Sequence, residues 1–225
     1  MERKKAVLIV SGGIDSSTLI YKMIQEGYET YALTFIYGQK HKREIESARK
    51  VCNNLNVAHK IIDISSLKEI LSGSALTDSE IDIPEVPETA EYYEMLKTTI
   101  VPNRNSIFLS IAIGYAVSIG ANHVFFGAHH SDRGVYPDCR REFVEAFQYA
   151  ERLANDNSLL VVAAPFVNMN KSEIVKLGIE LGVPYKETWS CYRGGEMHCG
   201  VCSSCRERKR AFQEASIEDP TGYER

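Results

Sequence analysis

The stretch "VLIVSGGIDSSTLIYKM", residues 7–23, decides how the rest of the chain is read. It joins a continuous apolar run, "KAVLIV" (5–10), to a segment in which Leu19, Ile20, Met23 and Ile24 recur at helical spacing. The first half suits a parallel strand buried on both faces, and Gly27 closes the helix that follows. Between them, "SGGIDSST" offers Gly12 and Gly13 for close approach and Ser11, Ser16, Ser17 and Thr18 as hydroxyl donors. A strand, a turn of small residues and a helix N-terminus together make an anion site, because amides converge there and the helix dipole favours negative charge. Asp15 falls where it can cap the helix or help hold a metal ion. No lysine follows the glycines as a Walker A loop requires, and the G-x-G-x-x-G of dinucleotide binders is missing. The reading is a phosphate cradle covering Val10, Ser11, Gly12, Gly13, Ile14, Asp15, Ser16, Ser17, Thr18, Leu19 and Ile20.

Beyond the loop, strand and helix patterns alternate. "ETYALTFIYG" (29–38) and "HKIIDI" (59–64) read as strands around a charged helix from about 40 to 55. "NRNSIFLSIAIGYAVSIG" (103–120) is apolar nearly all round and predicts a buried helix with Asn103 as N-cap. Strands at 123–127 and 159–166 flank a helix from about 140 to 155, and "NKSEIVKLGIELG" (170–182) is a short amphipathic helix. This βαβ rhythm predicts an α/β fold with an open, mostly parallel sheet covered by helices. Residues 72–103, with Pro84, Pro87 and Pro102, break the rhythm and read as a substrate loop or lid, or else a disordered connection, with one short helix near Tyr92. The expected organisation is one α/β domain over 1–184, with the phosphate cradle at its start, and a cysteine-rich segment over 185–225.

Composition narrows the partners. Of 225 residues, 30 are acidic and 26 basic, so the net charge of −4 argues against a surface built to grip a nucleic acid backbone. No apolar run reaches the length of a membrane span, and the five-residue run near the start ends in Ser-Gly-Gly, unlike a signal peptide. The cytoplasm is therefore the expected compartment. Four of the six cysteines crowd together, as Cys191, Cys199, Cys202 and Cys205, in the pattern C-x7-C-x2-C-x2-C. In a chain without an export signal such clustering points to metal rather than disulfides. Two C-x2-C steps wrap a tetrahedral ion, so a structural Zn²⁺ is expected, with an iron–sulfur cluster or no metal at all as the alternatives. Arg206, Arg208, Lys209 and Arg210 follow, and cations there would offset the charge of four thiolates. His198 reads as a bystander, and Cys52 as a small core residue.

"SGGIDSS" resembles the signature loop of the PP-loop ATP pyrophosphatases, whose fold is the Rossmann-like, adenine nucleotide alpha hydrolase-like sheet. The resemblance implies that the cradle holds the β- and γ-phosphates as a leaving pyrophosphate while a substrate oxygen attacks the α-phosphorus. "NKSEIVKLG" is similar to the lysine-bearing helix start of that group, which makes Lys171 a candidate for neutralising phosphate charge beside Asp15 and Ser16. "YGQKHKREIESA" (37–48), "VPNRNSIFLSIA" (101–112), "YPDCRREFVEAF" (136–147) and "SCYRGGEMHCGVCSSCRERKRAF" (190–212) further resemble the branch that makes 7-cyano-7-deazaguanine. His129 and His130 depart from the commonest wording of that branch. The resemblance implies ATP, 7-carboxy-7-deazaguanine and ammonia as substrates, Mg²⁺ with the ATP, and a homodimer. It gives Lys40, His41, Arg43, Arg104, Asp132, Tyr136, Asp138 and Arg140 roles toward phosphate, carboxylate or base. Cys139, beside them, is read as packing or substrate contact rather than a nucleophile. The rival readings are a PP-loop tRNA thiolation enzyme and a nucleotide-binding sensor without catalysis.

Overall fold

Strand β1 (Lys5–Ile9) divides the core in two. The period of two sends Ala6 and Leu8 to one side of the sheet and Val7 to the other, and each side is buried against its own set of helices. The computed structural model describes residues 3–85 and 92–225. Within them, β2 (Glu29–Ile36), β3 (Ala58–Asp63), β4 (His123–Phe125) and β5 (Val161–Ala163) join β1 in a five-stranded sheet of order β3-β2-β1-β4-β5. All four pairings are parallel.

One face carries α1 (Ile14–Gln25), α2 (Arg43–Asn54), α6 (Lys171–Glu180) and α7 (Ser203–Ala215), which bury Leu19, Ile20, Val51, Ile174 and Phe212 around Leu8. The opposite face carries α4 (Arg104–Ser118) and α5 (Arg141–Ala154), with Phe108, Leu109, Ile113 and Val144 around Val7 and Val124. The short α3 (Tyr92–Lys97) precedes α4. This is the open, helix-covered parallel sheet expected from the βαβ rhythm. The chain moves outward from β1 to β3, then crosses to β4 on the other side of β1. That reversal opens a crevice at the carboxyl ends of β1 and β4, where open α/β sheets bind ligands.

Several boundaries differ from the periodicity. The last two strands are three residues each: 159–160 precede the ladder, 164–166 leave it, and beyond β4 the Phe126 amide still donates to the Ala163 carbonyl at 3.2 Å. Helix α4 buries only one face; Val117 on the other is 45% exposed. Asn103 occupies the N-cap position but in the left-handed region, φ 56, and its side chain makes no capping bond. Asp138, from a distant 3-10 turn, accepts from the Asn105 amide instead, at 3.1 Å. Asp15 does not cap α1 either, since Gly13 holds that position and Asp15 lies within the first turn. Of the irregular connection, 86–91, including Pro87, lies outside the described residues. Among the described residues no helix is long and apolar enough to cross a membrane.

Candidate active site

The loop after β1 is shaped by its contact with α2. Gly12 has φ +82, and a Cβ there would stand 2.5 Å from both the Ala48 amide nitrogen and the Glu44 carbonyl oxygen. Glycine is needed twice over, for the dihedral and for the approach of backbone to backbone. Freed of side chain, the loop turns its Ser11 and Gly12 amides onto Ser16 Oγ, at 3.1 and 3.2 Å. Two amides converging on one oxygen is the geometry of a small anion nest. From behind, the Trp189 amide donates to the Gly12 carbonyl at 2.9 Å, so the C-terminal segment braces the loop.

The loop forms one wall of a cleft of about 1350 Å³ that also takes residues from the ends of β2 and β4 and from α2, α4, α6 and α7. Val10, Ser11, Gly13, Ile14, Asp15 and Ser16 line it, and so do Lys40, His41, Arg104, Asp132, Tyr136, Cys139 and Lys171. Other predicted residues point elsewhere. Leu19 and Ile20 are fully buried in the core, Ser17 is buried behind the loop, and Thr18 gives its hydroxyl to the Ile14 carbonyl at 2.8 Å. Arg43 stacks over the Trp189 ring at 5.7 Å, Asp138 caps α4, and Arg140 donates to the Arg133 carbonyl at 3.0 Å.

At the cradle the charges form a tight group. Lys171 opens α6, whose N-cap Asn170 and Glu173 make a reciprocal capping box. Its ammonium lies 3.3 Å from Asp15 Oδ2 and 2.7 Å from Glu207 Oε2. Burial works against that ammonium, but Asp15, Glu207 and Asp132 outweigh it and hold its pKa well above the ordinary lysine value. Burial likewise works against the Glu207 carboxylate, yet Lys171 together with His129 and Arg210 outweighs it and the pKa falls below the usual range. Asp132 goes the other way: burial raises its pKa, Glu207 and Asp15 add to the rise, and His129 offsets part of it. His129 is almost fully buried, with Nε2 3.5 Å from Asp132 and 3.8 Å from Asp15. Asp15 Oδ1 and His129 Nδ1 are buried with no hydrogen-bond partner among the described residues.

On the far wall, Arg104 lies 5.9 Å over the Tyr37 ring, which supplies a partner for the guanidinium at the start of α4. Burial pushes the Tyr37 phenol up to about 12. Glu44 accepts from Gln39 at 2.8 Å, and burial raises its carboxyl above the ordinary range. Tyr136 Oη lies 2.8 Å from Thr99 Oγ1. Glu207, Glu44, Trp189 and Tyr192 line the cleft and were not picked out by sequence reasoning. Glu207 lies inside the cysteine segment, where the local pattern points only to metal; the contact with Lys171 spans 36 positions.

The four cysteines lie beside this cleft. All are buried, and their Sγ atoms lie within 4.8 Å of one another, a set able to hold a metal ion. Amides of Arg193 and Cys199 donate to Cys191 Sγ, and that of Cys202 to Cys199 Sγ, each at 3.4 Å. Hydrogen bonds from Cys202 and Cys205 hold the Cys191 thiol far below its ordinary range, and the same contacts push Cys202 and Cys205 above theirs, so one sulfur of the set takes the charge at the others' expense. Arg208 does not serve as the counter-charge expected of it. It is fully buried and donates to Asp219, Thr188 and the Tyr185 carbonyl. His198 accepts from the Ser190 amide at 3.0 Å and so holds the loop.

A parallel sheet with a lysine-free glycine cradle at its switch point, and a lysine delivered by a later helix, defines an adenine nucleotide alpha hydrolase-like protein of the PP-loop type. Solved structures at low sequence identity share the fold. The chain superposes with a TM-score of 0.54 on NMN synthetase from Francisella tularensis, at 17% identity over 96% of this chain and 79% of that one. A 4-thiouridine synthetase solved with RNA and bound ATP gives 0.53 at 19% identity, over 95% of this chain and 50% of that one. At the family level, residues 5–216 match the family described as "Queuosine biosynthesis protein QueC", and the chain belongs to it. Its relatives include the 7-cyano-7-deazaguanine synthase of Archaeoglobus fulgidus, 53% identical over 96% of this chain and 89% of the relative. That of Caldicellulosiruptor saccharolyticus is 49% identical over 98% and 96%.

Proposed function

We propose that this chain is an ATP-dependent, C–N bond-forming ligase that converts 7-carboxy-7-deazaguanine and ammonia to 7-cyano-7-deazaguanine. The observation that supports this most directly is family membership over nearly the whole chain, with the cradle and its lysine intact at the sheet's switch point. Carboxylate oxygen is a poor leaving group, and adenylation makes it a good one. The substrate carboxylate attacks the α-phosphorus of ATP and pyrophosphate leaves. Ammonia then displaces AMP to form the amide. The amide oxygen is adenylated by a second ATP, and loss of AMP with the remaining N–H protons leaves the nitrile. Nothing is oxidised or reduced, and two ATP are consumed.

In this reading the Ser11–Ser16 loop binds the departing pyrophosphate, and Lys171 neutralises charge as it develops. Arg104, Lys40 and His41 are available to phosphate or carboxylate, and Asp132 and Tyr136 to the N–H edge of the base. Asp15, with one buried oxygen unpartnered, suits Mg²⁺ bound with the triphosphate, which would supply positive charge at the transferring phosphorus. The four buried cysteines suit a structural Zn²⁺, which closes such a set without an open position. The reading includes a cytoplasmic homodimer, by resemblance to the family. Purified protein with 7-carboxy-7-deazaguanine, ATP, Mg²⁺ and ammonium should yield the nitrile by mass spectrometry and AMP by nucleotide analysis. ADP in place of AMP, or sulfur transfer to tRNA with no nitrile, would overturn it.

A further inference from the structure

The four-cysteine centre and the phosphate cradle share one helix. Cys202 is the N-cap of α7 and Cys205 lies in its first turn, so two of the four metal-binding sulfurs form the start of that helix. Glu207 stands two positions beyond Cys205, roughly 200° further round the helix axis. One side of α7 therefore meets the cysteine centre, and the opposite side meets the cleft. There Glu207 Oε2 accepts from Lys171 Nζ at 2.7 Å, the shorter of the two ion pairs that ammonium makes among the described residues. Arg208, fully buried among Asp219, Thr188 and the Tyr185 carbonyl, fixes the rotation of the same turn. Lys171 itself is a long, flexible side chain, and a carboxylate on each side is what gives it one position.

We propose that Glu207 is a positioning residue that transmits the order of the four-cysteine centre to the phosphate cradle by holding the Lys171 ammonium in place. The proposal rests on the reading of Lys171 as the phosphate-neutralising lysine. It makes the metal more than a clamp on the C-terminal segment: binding it sets the register of α7, and the register of α7 sets the cation at the cradle. With the metal removed, the first turn of α7 loses one of its two anchors, Arg208 being the other, and the Glu207–Lys171 contact loosens while the longer contact to Asp15 remains.

The test uses the metal-loaded protein as purified, with Glu207→Gln, Glu207→Asp and Glu207→Ala, and three measurements. These are bound metal per chain, calorimetric affinity for pyrophosphate with Mg²⁺, and kcat and KM for ATP. Metal content should stay constant. Pyrophosphate affinity and kcat/KM for ATP should fall about tenfold in Glu207→Ala, because a misplaced charge at a reacting site costs on this order or more. Glu207→Asp, which restores the charge, should recover part of the loss. Chelating the metal from the wild type should weaken pyrophosphate binding by a comparable factor, and from Glu207→Ala by little more. Unchanged pyrophosphate affinity in a metal-loaded Glu207→Ala overturns the proposal, as does an equal chelator effect in both proteins. If Glu207→Ala fails to fold, the isosteric Glu207→Gln carries the same comparison. A wild type that releases no AMP, with variants that still lose pyrophosphate affinity, would overturn the reaction and leave this link standing.

Discussion

Tyr185 Oη lies 2.8 Å from Thr18 Oγ1, and this contact ties the helix behind the cradle to the start of the C-terminal segment. The same hydroxyl lies 3.1 Å from the Ile174 carbonyl, so α1, α6 and the chain leading to the cysteines meet at one buried point. Gly178 on α6 makes room for it: a Cβ there would collide with Tyr185 Oη and come within 2.9 Å of Thr18 Oγ1. Gly178→Ala should therefore destabilise the protein by about 1–3 kcal/mol through overpacking, despite alanine's better helix propensity. Thermal unfolding should show a melting temperature lowered by roughly 5 °C. An unchanged or raised value would mean that Tyr185 has an alternative place to go.

Gly12→Ala tests the cradle more severely. The atoms in the way belong to backbone, the Ala48 nitrogen and the Glu44 oxygen, which cannot rotate aside as a side chain can. Positive φ adds its own strain, about 1–2 kcal/mol for a residue with a Cβ. The loop must move off α2, and its amides lose their convergence. ATP-dependent AMP release should drop by roughly 100-fold or more, on the scale of losing an anion-stabilising donor. Circular dichroism should remain close to wild type, since the strain is confined to one turn.

The parts of this site that could be read in advance are those whose physics is local. The cradle follows from adjacent residues: an apolar run, two glycines and a helix start. The cysteine spacing is likewise contained within fifteen positions. The contacts that required the fold join distant positions. Glu207 meets Lys171 across 36 residues, and Asp138 reaches across 33 to cap α4 in place of Asn103. Periodicity could not foresee that Asn103 would turn left-handed and make no capping bond of its own. Nor could it separate Leu19 and Ile20, buried behind the cradle, from the residues that face the cleft. His129 stood out as an unusual residue, but its place between Asp15 and Asp132 depends on where β4 ends relative to β1.

Cys205→Ser should release the metal. The four sulfurs lie within 4.8 Å of one another in a buried pocket, and a serine oxygen is a far poorer partner for a soft, thiolate-favouring ion. Affinity should fall by more than about 100-fold, because even partners one layer out from a metal are worth 10–100-fold. Metal analysis after dialysis should find the wild type loaded and the variant depleted. Retention of the ion at full stoichiometry would show that three sulfurs suffice.

Arg208 should prove a stability residue rather than a metal counter-charge. Its guanidinium donates to both Asp219 oxygens, at 3.2 and 3.1 Å, to Thr188 Oγ1 at 2.8 Å and to the Tyr185 carbonyl at 3.0 Å. Arg208→Ala leaves Asp219 as an uncompensated carboxylate in a largely buried place, at a cost of about 3–5 kcal/mol. Arg208→Lys should recover only part of this, since an ammonium cannot reproduce the planar fork. Chemical denaturation of the metal-loaded proteins measures both. Equal stability of the lysine variant and the wild type would mean that charge alone, not geometry, is what this position supplies.

Cys139 lines the cleft yet should behave as an inert thiol. Burial raises its pKa far above the ordinary cysteine value, and the carboxylates of Asp132 and Asp138 push in the same direction. Arg104 and the hydrogen bond from Asn105 Nδ2, at 3.3 Å, offset only part of that rise. The sign of the shift fixes the experiment. A raised folded-state pKa means that the thiolate is scarce at pH 8 and appears only as pH climbs beyond the range in which an unfolded cysteine, with its pKa near 8.5, has already ionised. Iodoacetamide at pH 8 should therefore label Cys139 in the folded, metal-loaded protein at least about 100-fold more slowly than in the urea-unfolded chain. Peptide mass spectrometry of a time course gives both rates. Rapid labelling of the folded protein at pH 7–8 would identify a reactive thiolate facing the substrate, and would favour a covalent step over the adenylate route, which needs no nucleophile from the protein.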